Sequence, residues 1–429
     1  MKSTNYNPMK KIFRIIIFLI LGILLLLALT PYLFKDEIQA AVKDQINESV
    51  NAKVEFANAD LSFLKSFPQF TVMLDNLTID GEGSHEGTRL VSIETVQLTT
   101  DFKSVIKASE GMTLNKIIVT KPIINLKVNA DGKANYDIMK DKTDSKSESS
   151  FFGEIESYEI KDGELNYEDG ASNILVHMDD LNHSGSGKFQ DVVFDLETQT
   201  DVGEIDIQNG SLTLLSNATI AGEVDLGVNL DKRSFTLKEN NISLNDLDLS
   251  FTGLATILEE GYDLDLQVLA PNNKVSSILS VIPSSYKGDL DQVKSEGNSY
   301  VKGWVKGIYS TQKTSYPSLN LSASIENGTV QYPGLSLPIK DINLDLIMKA
   351  DRKDWSDFTI DAKEFTFLIN QDKVVGKMKV VDAMNNPSVA GLINGSLNLK
   401  ELAQAFPLEA VTLNDGYITT NMNLSLIHI

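Results

Sequence analysis

From Asn51 onward apolar and polar residues alternate with a period of two. Phe70, Val72 and Leu74, then Val96, Leu98 and Phe102, then Ile124, Leu126 and Val128 each stand between polar neighbours, the signature of half-buried strands. The alternation resumes beyond residue 150 in Val224, Leu226, Val228 and Leu230, in Tyr262, Leu264, Leu266 and Val268, in Leu319, Leu321, Ala323 and Ile325, and in Ile342, Leu344 and Leu346. Two short stretches break this rhythm. Val275, Ile278, Leu279 and Ile282 fall at i, i+3, i+4 and i+7 before Pro283, and Leu399, Leu402 and Phe406 do much the same before Pro407, so each predicts a short helix that caps or plugs a sheet.

The chain before Asn51 follows another pattern. Ile15 to Phe34 carries no charge over twenty residues, which as a helix span roughly 30 Å, the hydrocarbon thickness of a bilayer. Lys2, Lys10, Lys11 and Arg14 precede it with no acid among them, so a cytoplasmic N-terminus and an exported remainder are expected. A signal peptide would need a shorter apolar core and an Ala-x-Ala border, and none follows Leu29. Phe34, Ile38, Val42, Ile46 and Val50 then recur every four residues, which predicts an amphipathic helix leaving the membrane.

Two kinds of Asx pair punctuate the strands. Asp162-Gly163 and Asn327-Gly328 stand in similar surroundings, Ile-Lys-Asp-Gly-Glu-Leu-Asn-Tyr and Ile-Glu-Asn-Gly-Thr-Val-Gln-Tyr, and are expected as hairpin turns. Asp75-Asn76 and Asn245-Asp246 stand where the alternation changes phase and are expected as β-bulges. Residues 139 to 150 are polar and aperiodic, which predicts a linker or loop. The resulting division is 1–14 basic segment, 15–34 transmembrane anchor, 35–140 N-terminal region, 141–152 polar linker and 153–429 repetitive β region.

Composition narrows the partners. With 38 Lys and Arg against 59 Asp and Glu the formal charge is −21, which repels nucleic acid. The absence of cysteine removes disulfides, thiol catalysis and iron–sulfur clusters. No cofactor is expected, and no catalytic constellation emerges. His177-Met-Asp-Asp-Leu-Asn-His183 has too few ligands on one strand face for a metal. Ser104-Val-Ile-Lys107 lacks the companion motifs of a serine nucleophile, and Gly185-Ser-Gly187-Lys188 lacks the phosphate-loop spacing. Asp246-Leu-Asp248 and Asp263-Leu-Asp265 alternate as the outer face of a strand would.

Strands with one apolar face need that face covered, by a second sheet, by closure, or by something other than protein. Acyl chains can serve: at about 0.8 kcal/mol per methylene, a sixteen-carbon chain gains about 12 kcal/mol on leaving water. The basic N-terminus, the single apolar helix, Ser62-Phe-Leu-Lys-Ser-Phe-Pro68 leading into Val72-Met-Leu-Asp-Asn-Leu-Thr-Ile79, Ile123-Ile-Asn-Leu-Lys-Val128 and Asp131-Gly-Lys-Ala-Asn-Tyr136 resemble the AsmA family. The first 140 residues carry the most specific part of the resemblance; the rest is similar in texture.

The resemblance implies a mainly β protein anchored in the bacterial inner membrane through residues 15–34, with its bulk in the periplasm. It implies an elongated, curved antiparallel sheet forming a U-shaped hydrophobic groove after a chorein-like start. It further implies phospholipid transfer between inner and outer membranes and outer-membrane assembly, with membrane lipids and envelope proteins as partners. The chain stops within an alternating run at Leu424–Ile429, where a truncated C-terminus is expected. Phe70, Val72, Leu74, Val224, Leu226, Val228, Leu264, Leu266, Leu344 and Leu346 are the candidates for the lipid-facing surface. The rival reading is a non-catalytic assembly or scaffold factor built of closed β-sandwiches.

Overall fold

The computed structural model describes residues 43, 47, 50–62, 69–101, 114–138, 155–189, 191–282, 293–310, 313–384, 386–405 and 416–428. The expected spanning segment, most of the amphipathic helix, Phe102 and Ser104–Lys107 lie outside them. Among the described residues no helix is long and apolar enough to cross a membrane. Lys43 and Asn47 are helical.

The chain divides into two compact units, the first ending at Ala171 and also holding 188–190, the second comprising 172–187 and 191 onward. The first unit contains β1 (Ala52–Glu55), β2 (Asn58–Ser62), β3 (Gln69–Gly81), β4 (Arg89–Asp101), β5 (Leu114–Val128) and β6 (Ile155–Asp169). β1 and β2 pair with opposite halves of β3, and β3, β4 and β5 follow as an antiparallel meander. β5 and β6 are parallel, an exception to the antiparallel expectation. A parallel pair requires a connection of a dozen or more residues, and the chain between Val128 and Ile155 is long enough to supply one.

The second unit contains β7 (Ile174–Gly187), β8 (Val193–Asn209), β9 (Leu212–Asn229), β10 (Ser234–Leu244), β11 (Leu247–Leu258), β12 (Gly261–Lys274), β13 (Lys294–Tyr309), β14 (Ser318–Gln331), β15 (Ile339–Ala350), β16 (Thr359–Ile369), β17 (Asp372–Val381), β18 (Ser388–Asn398) and β19 (Tyr417–His428). Each is antiparallel to the next, and several turns are only two residues long, as at Gly210-Ser211 and Asn370-Gln371. The two helices predicted from periodicity are present as α1 (Val275–Ser280) and α2 (Leu399–Ala405).

Two of the Asx pairs, Asn245-Asp246 and Asn327-Gly328, exchange the roles expected of them. Asn245-Asp246 is the two-residue turn between β10 and β11, with Asn245 at φ 51°. Asp162 and Asn327, at φ 50° and 51°, lie inside β6 and β14, and the β13–β14 and β14–β15 ladders shift register around Asn327. An Asx residue tolerates the left-handed conformation in a turn and in a bulge alike, so the local motif does not distinguish them. At Asn76, φ 52°, the inward side of β3 changes from Phe70-Val72-Leu74 to Leu77-Ile79, but the β3–β4 ladder keeps its register there and shifts only at Ile79/Asp80, so the expected bulge is not formed at this pair.

Candidate apolar binding face

Residues paired across an antiparallel ladder share a face, so register alone says which candidates stand together. In the second unit one row runs Leu196, Leu226, Leu237, Gly253, Leu266, Val305 and Leu319 over seven consecutive strands. A second runs Phe251, Val268, Gly303, Leu321, Met348, Ile360, Val380, Val389 and Ile427 over nine. Strand alternation adds Val224, Val228 and Leu264 to this face, and the pairs Ala323↔Leu346 and Ile325↔Leu344 add the remaining two candidates. All seven second-unit candidates therefore lie on one face. Phe70, Val72 and Leu74 belong to the first unit.

What covers this face decides what it can do. Each strand packs chiefly against its hydrogen-bonded neighbours and, locally, against α1 or α2. Leu226, Leu264, Leu266, Val268, Val305, Leu319, Leu321, Leu344, Leu346 and Met348 are all half-buried, whereas the candidate Val228 is fully buried. Side chains meshed between two sheets would lose nearly all their exposure. Glycines interrupt the rows without opening holes, because neighbouring backbone (at Gly253) or side chains (at Gly303) occupy the space. A β-carbon at Gly303 would come within 2.7 Å of Leu321, and one at Gly376 would run into the Phe365 ring.

The ends of the face are better covered. Ala405 of α2 is fully buried with Ile339 and Ile369, and Leu337, Ile342, Phe367, Leu397 and Leu402 pack around them. Here α2 caps the strands as the sequence predicts. The carbonyl of Ser280, just where α1 ends, accepts a bond from the Asn245 amide at 3.2 Å, which fixes that helix to the β10–β11 turn.

The opposite face is mainly polar, with exposed Leu254, Leu269 and Ile308 among its charged and amide residues, and carries ion pairs such as Lys306–Asp265 at 2.7 Å and Lys238–Asp195 at 2.8 Å. Asp263 and Asp265 stand on it, as their alternation with leucine requires. An open concavity of about 790 Å³ also lies on this polar side, across β11 to β14. Sequence reasoning missed it, because its lining residues are the intervening positions of strands read for their apolar ones. The U-shaped groove expected from the resemblance is not itself shown; what the described residues present is an apolar sheet face.

The remaining motifs do not assemble. Among the described residues no group of three or more His, Asp or Glu side chains converges as for a metal. His183 Nδ1 meets Thr200 Oγ1 at 2.9 Å, and burial holds its pKa below the usual histidine value. Gly185-Ser186-Gly187 closes β7 and opens no helix.

A family model described as the AsmA family matches residues 9–414. No curated protein and no solved structure matches the chain.

Proposed function

We propose that this chain, which belongs to the AsmA family, binds lipid acyl chains on the apolar face of β8–β18 and assists phospholipid movement between the inner and outer membranes and outer-membrane assembly. The carrying observation is that Leu226, Leu266 and Leu346 in the cross-strand rows stay only partly buried. Apolar surface of that extent calls for a cover, and acyl chains supply one that slides, since dispersion contacts have no preferred register. The row from Phe251 to Val389 holds only apolar residues and a glycine, and so gives a sliding chain no polar barrier along β11–β18. Direction is set elsewhere, and no chemical step is required of the protein.

Anchoring by residues 15–34, with the bulk in the periplasm, belongs to this proposal. It draws on the uncharged run and the basic residues before it. The half-buried rows favour this reading over closed sandwiches acting only through protein contacts.

The test is native mass spectrometry of the full chain released from mild detergent. Phospholipid should accompany the wild type, and Leu226→Asp, placing a charge in mid-row, should reduce the occupancy several-fold while leaving the fold intact. Wild-type protein that flies bare, or a Leu226→Asp variant loaded like wild type, would count against the proposal.

A further inference from the structure

The concavity on the polar side of β11–β14 has a composition that the lipid reading does not use. Its centre is a cross-strand row, Thr252, Gln267, Trp304 and Asn320, each paired with the next. Trp304, 37% exposed, thus has a carboxamide one strand spacing, about 4.8 Å, to either side. The adjacent row runs Ser250, Leu269, Lys302 and Ser322, with Leu269 also 37% exposed. Among the described residues the side chains of Thr252, Gln267, Trp304, Asn320, Lys302 and Ser322 have no hydrogen-bond or ion-pair partner.

This is an aromatic plate framed by unspent donors and acceptors. The concavity, about 790 Å³, falls in the size range of small-molecule sites, about 300–1,000 Å³. An acyl chain would leave the amides desolvated and unpaired. A polyanion would need concentrated positive charge, whereas Lys306 is held by Asp265 at 2.7 Å and the chain as a whole carries −21. An added peptide strand would need an open sheet edge, and β12 and β13 are paired on both sides.

A sugar satisfies each constraint. A pyranose ring has a flat C–H face that stacks on indole and a rim of hydroxyls in the ring plane. A carboxamide offers a donor and an acceptor to neighbouring hydroxyls of that rim. We infer that the face opposite the apolar one carries an oligosaccharide site, with Trp304 as the stacking platform and Gln267 and Asn320 as the hydroxyl-reading groups. This assignment does not depend on the lipid proposal, because the two concern opposite sides of the same strands.

The test is ligand-observed NMR and calorimetry on the full chain, in a detergent without a sugar headgroup, with tri-N-acetylchitotriose, maltotriose and inositol hexakisphosphate as probes. At least one of the two neutral oligosaccharides should bind saturably below about 10 mM. Trp304→Ala should weaken that binding about tenfold, Trp304→Phe less, and Gln267→Ala or Asn320→Ala several-fold each. Lipid occupancy of Trp304→Ala should match wild type, which separates failure here from failure of the lipid reading. Absence of binding by both neutral probes, binding of the polyanion alone, or oligosaccharide affinity unchanged in Trp304→Ala would overturn the assignment.

Discussion

The strands around Leu74 and the strands around Leu266 start from the same alternation and reach different ends. In the first unit Leu74 is 2% exposed and packs with Val54, Phe56, Ala59, Leu77 and Val96, with Val50 and Val72 around them. The segment before β3 closes this cluster. The Asn47 side chain accepts a bond from the Val54 N–H at 2.9 Å and donates to the Val54 carbonyl at 3.2 Å, tying a helical turn to β1. In the second unit Leu266 belongs to rows with no such partner, and it stays half-buried. Alternation therefore specifies a strand and its apolar face; what fills that face depends on residues elsewhere in the chain. The difference also ranks the lipid candidates: Val72 and Leu74 serve a protein core, while Leu226, Leu266 and Leu346 remain available.

That contrast can be broken by mutation. Leu74→Ala empties a closed site and should cost about 2–5 kcal/mol, read by chemical denaturation as early loss of the first unit. Leu266→Ala removes the same atoms from a face without a second layer. It should cost less than half as much in lipid-free protein; equal losses would mean that a protein cover exists over the second-unit rows. Asn135→Ala should fall between these, at about 1–3 kcal/mol. The buried amide of Asn135 accepts from the Lys127 N–H and donates to the Asn125 carbonyl, both at 2.8 Å, and so pins the Asp131–Tyr136 turn back onto β5.

The smallest effect concerns pH. Burial lowers the His183 pKa, so the unfolded chain binds this proton more readily than the folded one. Stability from this group is complete above the unfolded value of about 6.5 and declines as pH falls below it. The second unit should lose a little stability between about pH 7 and 5.5, and His183→Gln should flatten that slope in a thermal melt. A slope unchanged in the variant would assign the dependence to other groups.

Much of this was legible in the sequence because the relevant signals are local. The alternating runs from Phe70 to Leu346 fall in strands, except that Leu230 stands in the turn after β9 and Phe102 lies outside the described residues, and both short helices begin where their i, i+3, i+4 spacing places them. Register among distant strands is less local, yet inward-pointing leucines had to coincide once each strand turned its apolar side the same way. The Asx pairs were misassigned because a bulge and a turn use the same backbone conformation; only the continuation of the ladder distinguishes them. The parallel β5–β6 pair was hidden because a crossover is defined by where the chain returns. The Trp304 site was invisible for a related reason: Gln267 and Asn320 are far apart along the chain and adjacent only through β12–β13–β14 pairing.

The most direct test places a photoreactive phenylalanine analogue, one at a time, at Leu266 and Leu346, and at their strand neighbours Gln267 and Asp345, in cells expressing the full chain. The account predicts phospholipid adducts from Leu266 and Leu346 and none above background from Gln267 and Asp345. Equal lipid labelling from both sides of the strands, or adducts from Leu266 and Leu346 only to protein, would contradict it.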